Sequence, residues 1–179
     1  GDKITYKNLL TNRRITYIFR LKDYADKMNS IYGNYNLDDD ESFDEAVEVY
    51  KEQAEILRDA GCDLFVVETM ISLEDARAAV RGIKEVCDLP VMVTMTFESN
   101  MRTLYGDTPE KCAEVLTEEG ADAIGANCSA GPEHMLAVIK AMAEKTDLPL
   151  IAKPNAGLPR TGADGSVTYD LAPKDFAEQ

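Results

Sequence analysis

Ala121-Asp-Ala-Ile-Gly-Ala-Asn-Cys-Ser-Ala-Gly-Pro132 is the stretch whose reading decides the fold. A short apolar run ends in Gly125-Ala126-Asn127-Cys128, and Gly131-Pro132 opens a helix behind it. This order puts a thiol at the carboxyl end of a buried strand, where α/β enzymes keep their chemistry. Working outward, three other segments end the same way. They are Asp63-Leu-Phe-Val-Val-Glu68-Thr69, Pro90-Val-Met-Val-Thr-Met-Thr-Phe97 and Leu148-Pro-Leu-Ile-Ala-Lys153. The first of them is a continuous apolar run rather than an alternating one, the signature of a strand buried on both faces.

Helical patterns separate these runs. Ser42-Phe-Asp-Glu45 reads as a capping box, and Ala46, Val49, Tyr50, Gln53, Ala54 and Leu57 follow at helical spacing to a stop at Ala60-Gly61. Ser72 caps a second helix to about Val86, and Thr108 with Pro109 opens a third. Gly131-Pro132 opens a fourth, to about Lys145, and Pro173 starts a fifth. Strand starts near 63, 90, 122 and 148 are spaced by 27, 32 and 26 residues, the length of a β-loop-α-loop unit. Parallel strands with right-handed crossovers follow. An open doubly wound sheet and a closed (β/α)₈ barrel both fit. No Gly-x-Gly-x-x-Gly follows any strand, and polar residues stand at all four strand ends, so the barrel is favoured. A full barrel needs about 250 residues, so four units imply part of one, or pairing with a second copy.

The bulk numbers bound the class. The 179 residues are 45% hydrophobic and 29% charged, with a net charge of −14. Those values suit a globular domain and argue against nucleic acid as a partner, because a phosphate backbone would be repelled. No apolar run of about 18 residues predicts a membrane span, and no export signal is visible, so a cytoplasmic location is expected. Charge is unevenly spread. Residues 1–36 hold seven Lys/Arg against three Asp/Glu and five of the eight tyrosines, whereas the rest holds 12 against 30. A composition break therefore falls near Asn36. Residues 1–36 are read as an atypical N-terminal segment and 37–179 as the domain. The acidic run Asp38–Glu41 lacks the spacing and glycine of a calcium loop.

Candidate chemistry sits at the strand ends: Glu68-Thr69 on the first, Thr94, Thr96 and Glu98 on the second, Asn127-Cys128 on the third, and Lys153, Asn155 and the Gly157 turn on the fourth. A carboxylate such as Glu68 can hold an ammonium group or act as a base. A thiolate such as Cys128 can be a nucleophile, which needs a base, or one zinc ligand, which needs partners from other strands. The single histidine, His134, falls one turn into a helix and is expected to be exposed. Cys62 and Cys112 read as small core residues. With no C-x-x-C and no close cysteine pair, neither a zinc ribbon nor a disulfide framework is supported.

Residues 37–179 resemble the homocysteine S-methyltransferase family, which includes the homocysteine-binding module of cobalamin-dependent methionine synthase. The resemblance rests on Phe43-Asp-Glu-Ala46 with Gln53-Ala54, Glu68-Thr69, Val91–Phe97, Thr108-Pro-Glu110, Gly125-Ala-Asn-Cys128 and Pro154-Asn-Ala-Gly-Leu-Pro159. It covers about four-fifths of the chain, and the last two motifs together are its most specific part. It implies a (β/α)₈ barrel in which zinc, held by three cysteine thiolates, binds the sulfur of homocysteine. That thiolate then attacks the methyl group of a donor such as methylcobalamin on a corrinoid module. By this resemblance Cys128 would be the zinc ligand in this chain, and Glu68 and Asn127 are expected to be the substrate-binding residues. No catalytic residue is expected beyond the metal site. The other two thiolates belong to a Gly-Gly-Cys-Cys strand for which this sequence has no counterpart. The family's first-strand Asp-Gly-x-Met-Gly segment and third-strand glycine-rich turn are likewise missing from residues 1–36. The resemblance thus implies strands four to seven of eight, and a chain that is inactive in methyl transfer on its own. Two other readings stand beside it: a non-catalytic truncated barrel that binds or forms a homo-oligomer, and another corrinoid- or pterin-linked barrel methyltransferase.

Overall fold

The computed structural model describes residues 3–7, 14–18, 40–128, 131–157, 159–169 and 171–179. Strands β1 (Lys3–Lys7) and β2 (Arg14–Ile18) pair antiparallel, Lys3 opposite Ile18 and Lys7 opposite Arg14. Helix α1 (Asp40–Asp59) leads to β3 (Phe65–Met70), α2 (Leu73–Val86) to β4 (Val91–Met95), α3 (Pro109–Glu118) to β5 (Ala123–Asn127), and α4 (Pro132–Ala143) to β6 (Leu150–Lys153). A short antiparallel pair, β7 (Pro159–Thr161) and β8 (Val167–Tyr169), precedes α5 (Pro173–Glu178). Strands β3-β4-β5-β6 lie side by side in chain order in one parallel sheet, so the α/β expectation holds. The composition break near Asn36, and with it Asp38 and Asp39, lies outside the described residues.

The chain divides into two compact units. The first comprises Gly1–Val66 and Glu74–Val91. There α1 and α2 meet through Phe43, Ala46, Val47 and Ala78, with Tyr50 against them. The guanidinium groups of Arg77 and Arg81 stand 5.1 and 4.9 Å from the centre of the Phe43 ring, so the aromatic face is shared by two cations. Gly82 permits this approach: a Cβ there would come within 2.7 Å of the Val47 carbonyl oxygen. Helix α1 begins at Asp40, two residues before the expected cap at Ser42. Acidic residue types suit a helix's first turn, so the capping-box pattern lies inside the helix rather than at its edge.

The second unit comprises Val67–Leu73 and Met92–Gln179. Register there is set by the pairs Met92–Ala123, Val93–Ile124, Thr94–Gly125 and Met95–Ala126, then Ile124–Leu150 through Asn127–Lys153. Because side chains alternate along a strand, Val93, Met95, Ile124 and Ala126 share one face and are at most 2% exposed. Helix α3 packs on β5 and on α4, and α4 packs on β5 and β6. Their core residues are Cys112, Ala113, Leu116, Met135, Val138 and Met142. Gly125 marks the tightest approach in the sheet: a Cβ at that position would overlap the Ile151 backbone, 2.8 Å or less from its carbonyl carbon and Cα.

All four expected strands start late; β4 also ends early, at Met95, whereas β3 runs one residue further, to Met70. Strands β4 and β6 begin one and two residues late because Pro90 and Pro149 have no N–H to give to a ladder. Their carbonyls still accept, from Phe65 N–H at 2.8 Å and from Ile124 N–H at 3.1 Å. Helix α3 starts as expected, with Pro109 in its first turn and the Thr108 hydroxyl accepting from Lys111 N–H at 3.3 Å. The β7–β8 hairpin was not expected. Its signal is present in Asp164-Gly165, a turn pair with Gly165 at φ 80° between short extended runs. No helix among the described residues is long and apolar enough to cross a membrane.

Candidate functional site

The face of the sheet opposite the Val93–Ile124 core carries a different set of side chains. Thr94 stands beside Gly125, and Asn127 beside Lys153. Thr94 and Asn127 are each 2% exposed, so both are polar groups held inside the second unit. A buried carboxamide needs partners for both its ends, and Asn127 finds them at the end of β3. Its Oδ1 accepts from Thr69 N–H at 3.2 Å, and its Nδ2 donates to Thr69 Oγ1 at 2.7 Å. The same Nδ2 lies 3.0 Å from Cys128 Sγ as donor. Thr69 N–H is shared with Thr94 Oγ1 at 3.4 Å, and Thr96 Oγ1 donates to the Asn127 carbonyl at 3.2 Å.

These contacts hold a strained pair. Thr69 and Cys128 have φ angles of 65° and 62°, the left-handed region that disfavours any residue with a Cβ and a β-branched one most. Each such residue costs on the order of 1–3 kcal/mol and persists only where its surroundings fix it. One carboxamide fixes both: Asn127 grips Thr69 through backbone and hydroxyl and reaches its own neighbour Cys128. The left-handed turn at Cys128 also directs its N–H to the Lys153 carbonyl, at 3.2 Å, joining the ends of β5 and β6.

The outer ends of the sheet meet as well. Lys153 Nζ forms an ion pair with Glu68 Oε1, linking β6 to β3. Glu68 and Lys153 are the only charged residues among the last three positions of β3, β4, β5 and β6. The Asn155–Gly157 turn, with Gly157 at φ 89°, follows β6. It lies against the start of α4, where a Cβ on Gly131 would be 3.8 Å from Gly157 N. Ser129, Ala130 and Leu158 lie outside the described residues.

Glu68, Thr94, Thr96, Asn127, Cys128 and Lys153 are therefore linked into one hydrogen-bonded or paired group. Glu98 belongs instead to the loop after β4, where its N–H bonds the Arg102 carbonyl at 2.7 Å. His134 departs from the expected exposure: it is half-buried, and its Nε2 is buried without a partner among the described residues. It sits at the margin of the stripe Met135, Val138 and Met142 that α4 buries. The other cysteines are set apart by burial. Cys112 is fully buried and its thiol is pushed up to about 12 by desolvation. Cys62 is half-exposed rather than a core residue, and burial followed by the nearby Cys87 raises its thiol above the ordinary range. The sequence reading named these strand ends singly. It did not identify Asn127 as the tie between two left-handed residues, nor the Glu68–Lys153 pair, because 58 and 85 residues separate the partners.

As a metal centre the group is incomplete. No set of three His, Cys, Asp or Glu side chains that could hold an ion occurs among the described residues. A zinc site needs at least three protein ligands, and Cys128 supplies one thiol. The residues present do not by themselves fit zinc.

Over 136 residues, 73% of this chain, the sequence is 33% identical to the methionine synthase of Mycobacterium leprae, of whose length this covers 11%. The fold matches the Escherichia coli homocysteine methyltransferase MmuM. In its metallated form the TM-score is 0.56 at 21% identity, over 88% of this chain and 56% of that one. In its apo form the TM-score is 0.54 at 24% identity, over 61% and 43%. The chain thus spans about a tenth of one relative and about half of the other. Residues 19–179 match the homocysteine S-methyltransferase family, and the chain belongs to that family.

Proposed function

We propose that this chain forms part of a homocysteine S-methyltransferase barrel, strands four to seven of eight, and that its strand-end face takes the amino-acid end of homocysteine. The observation that carries the reading is the Asn127 carboxamide, which ties Thr69 and Cys128 together next to the Glu68 carboxylate. Glu68 holds the substrate ammonium. Asn127 contributes to the substrate site and keeps both left-handed strand ends in place. Cys128 would be one thiolate of a zinc site completed by two cysteines that are not among the four of this sequence. Zinc, once bound there, would keep the homocysteine sulfur in its nucleophilic thiolate form. A donor such as methylcobalamin would present the methyl group in the full protein, and the setting proposed is the cytoplasm.

Exposure on β3 supports a partial barrel. Val66, on the same side of the strand as Glu68, is 48% exposed. In a closed barrel such inward positions are filled by layers of side chains. A lone thiol also leaves zinc short of ligands, so the isolated chain is expected to bind substrate without turning it over.

Calorimetric titration of L-homocysteine into the 179-residue chain tests this. We expect binding that weakens about tenfold in Glu68→Gln, the loss of one charge-assisted contact. Absence of binding, or equal binding by Glu68→Gln, overturns the substrate site. Homocysteine-dependent methyl transfer by the chain alone overturns its assignment as an incomplete centre.

A further inference from the structure

We propose that Lys153 is a specificity-determining residue: with Glu68 it forms a two-charge reader for a zwitterionic α-amino acid, Glu68 taking the ammonium and Lys153 the carboxylate. The inference rests on the homocysteine-binding reading of this face and adds to it a residue and a selectivity.

The strand ends carry one anion and one cation, Glu68 and Lys153, and these touch each other. Their strands are the two outer members of the order β3-β4-β5-β6, so the ion pair spans the ends of β4 and β5, where Thr94, Asn127 and Cys128 lie. Lys153 is placed by its backbone, whose carbonyl accepts from Cys128 N–H, and it stands in register with Asn127. Its side chain therefore starts from a backbone bonded to that of Cys128 and ends on the Glu68 carboxylate.

Both side chains are largely open to solvent, 55% for Lys153 and 43% for Glu68. An exposed pair of this kind holds weakly and opens at little cost. In the free protein the Lys153 ammonium occupies the place on Glu68 that a substrate ammonium would take. An incoming zwitterion replaces one ion pair by two: its ammonium meets Glu68, and its carboxylate meets the released Lys153. No charge is stranded. A plain amine would displace Lys153 and leave it unpaired, and a plain acid would capture Lys153 and leave Glu68 unpaired. Selectivity then arises as much from the charge a wrong ligand leaves unmatched as from the attraction of the right one.

The test titrates three thiols, L-homocysteine, its decarboxylated analogue homocysteamine and its deaminated analogue mercaptobutyrate, into the full chain and into Lys153→Met, Lys153→Arg and Glu68→Gln. We expect wild type to prefer homocysteine over both analogues. Lys153→Met should weaken homocysteine about tenfold while homocysteamine binds as well as before or better, since its competitor for Glu68 is gone. Lys153→Arg should restore the preference. Homocysteine binding that is unchanged in Lys153→Met, or a parallel loss for homocysteine and homocysteamine, overturns the role of Lys153. If homocysteine binding falls in Glu68→Gln but not in Lys153→Met, the substrate-site reading survives and this one fails. If wild type binds no homocysteine, both fail.

Discussion

The two faces of the β4–β5–β6 sheet are built from alternate residues of the same strands, yet they differ in kind. One presents Val93, Met95, Ile124 and Ala126, all at most 2% exposed and apolar. The other presents Thr94, Gly125, Asn127 and Lys153, and gathers Thr69, Glu68 and Cys128 at its carboxyl edge. The first face stabilises the unit by burial. The second holds two residues in left-handed backbone and commits its polar groups to keeping them there. Strain and polarity thus sit on the side that has little apolar packing to lose. That separation lets a sheet carry a site without weakening its core.

Truncation breaks this comparison most directly. Ile124→Ala removes a fully buried side chain from the apolar face and should cost about 3–4 kcal/mol, within the range for such cavities. Val66→Ala, at a position 48% exposed on β3, should cost less than about 0.5 kcal/mol. Urea unfolding of both variants checks the contrast, and equal losses would mean that the exposed side is packed in solution. Next in size is Asn127→Leu. It keeps volume but strips the partners from Thr69 N–H and Oγ1, leaving a 3.4 Å contact to Thr94. The expected cost is about 2 kcal/mol, with faster hydrogen exchange at Thr69 as the local signature.

How legible the two faces were in the sequence follows from range. The apolar face was readable because short apolar runs such as Leu64–Val67 and Val91–Val93 mark the strands, and because Thr108-Pro109 is a local helix start. The strand-end residues Glu68, Asn127 and Cys128 could be named from their place behind such runs, and the family they belong to is now shown. Their mutual arrangement was not readable. Asn127 meets Thr69 across 58 residues, and Lys153 meets Glu68 across 85. Nothing local to either residue announces its partner. The β7–β8 hairpin was missed for another reason: three-residue strands give too little alternation to register, and the Asp164-Gly165 signal was hidden inside a longer polar stretch.

A smaller effect separates two cysteines of the second unit. Cys112 is buried with its thiol raised to about 12 from an ordinary 9.0, mainly by desolvation, whereas Cys128 is partly open at the strand end. In the native chain Cys112 should resist alkylation that Cys128 undergoes, as peptide mapping after brief iodoacetamide treatment would show. The same shift ties stability to pH. Below pH 9 the thiol is protonated in both states, and its full contribution is present. Above 9 the unfolded chain loses the proton first, so stability falls as pH climbs toward 12. Between pH 9 and 10 the loss should be about 1 kcal/mol, and Cys112→Ala should flatten that slope. A slope unchanged by the substitution would assign the alkaline loss to other groups.

The smallest expected effect on folding is at the residue with the largest proposed effect on selectivity. Lys153→Met removes one side of an ion pair whose members are 55% and 43% exposed. Solvent screening leaves such pairs worth about 0.2–1 kcal/mol, and the aliphatic part of the lysine is replaced by a side chain of similar length. The variant should therefore unfold within about 1 kcal/mol of wild type. A larger loss would mean that Lys153 braces the strand ends as Asn127 does, and its charge would then belong to the architecture of this edge rather than to what the edge binds. A negligible loss, together with an altered preference between homocysteine and its decarboxylated analogue, would place Lys153 on the side of the sheet that is specified by ligand rather than by packing.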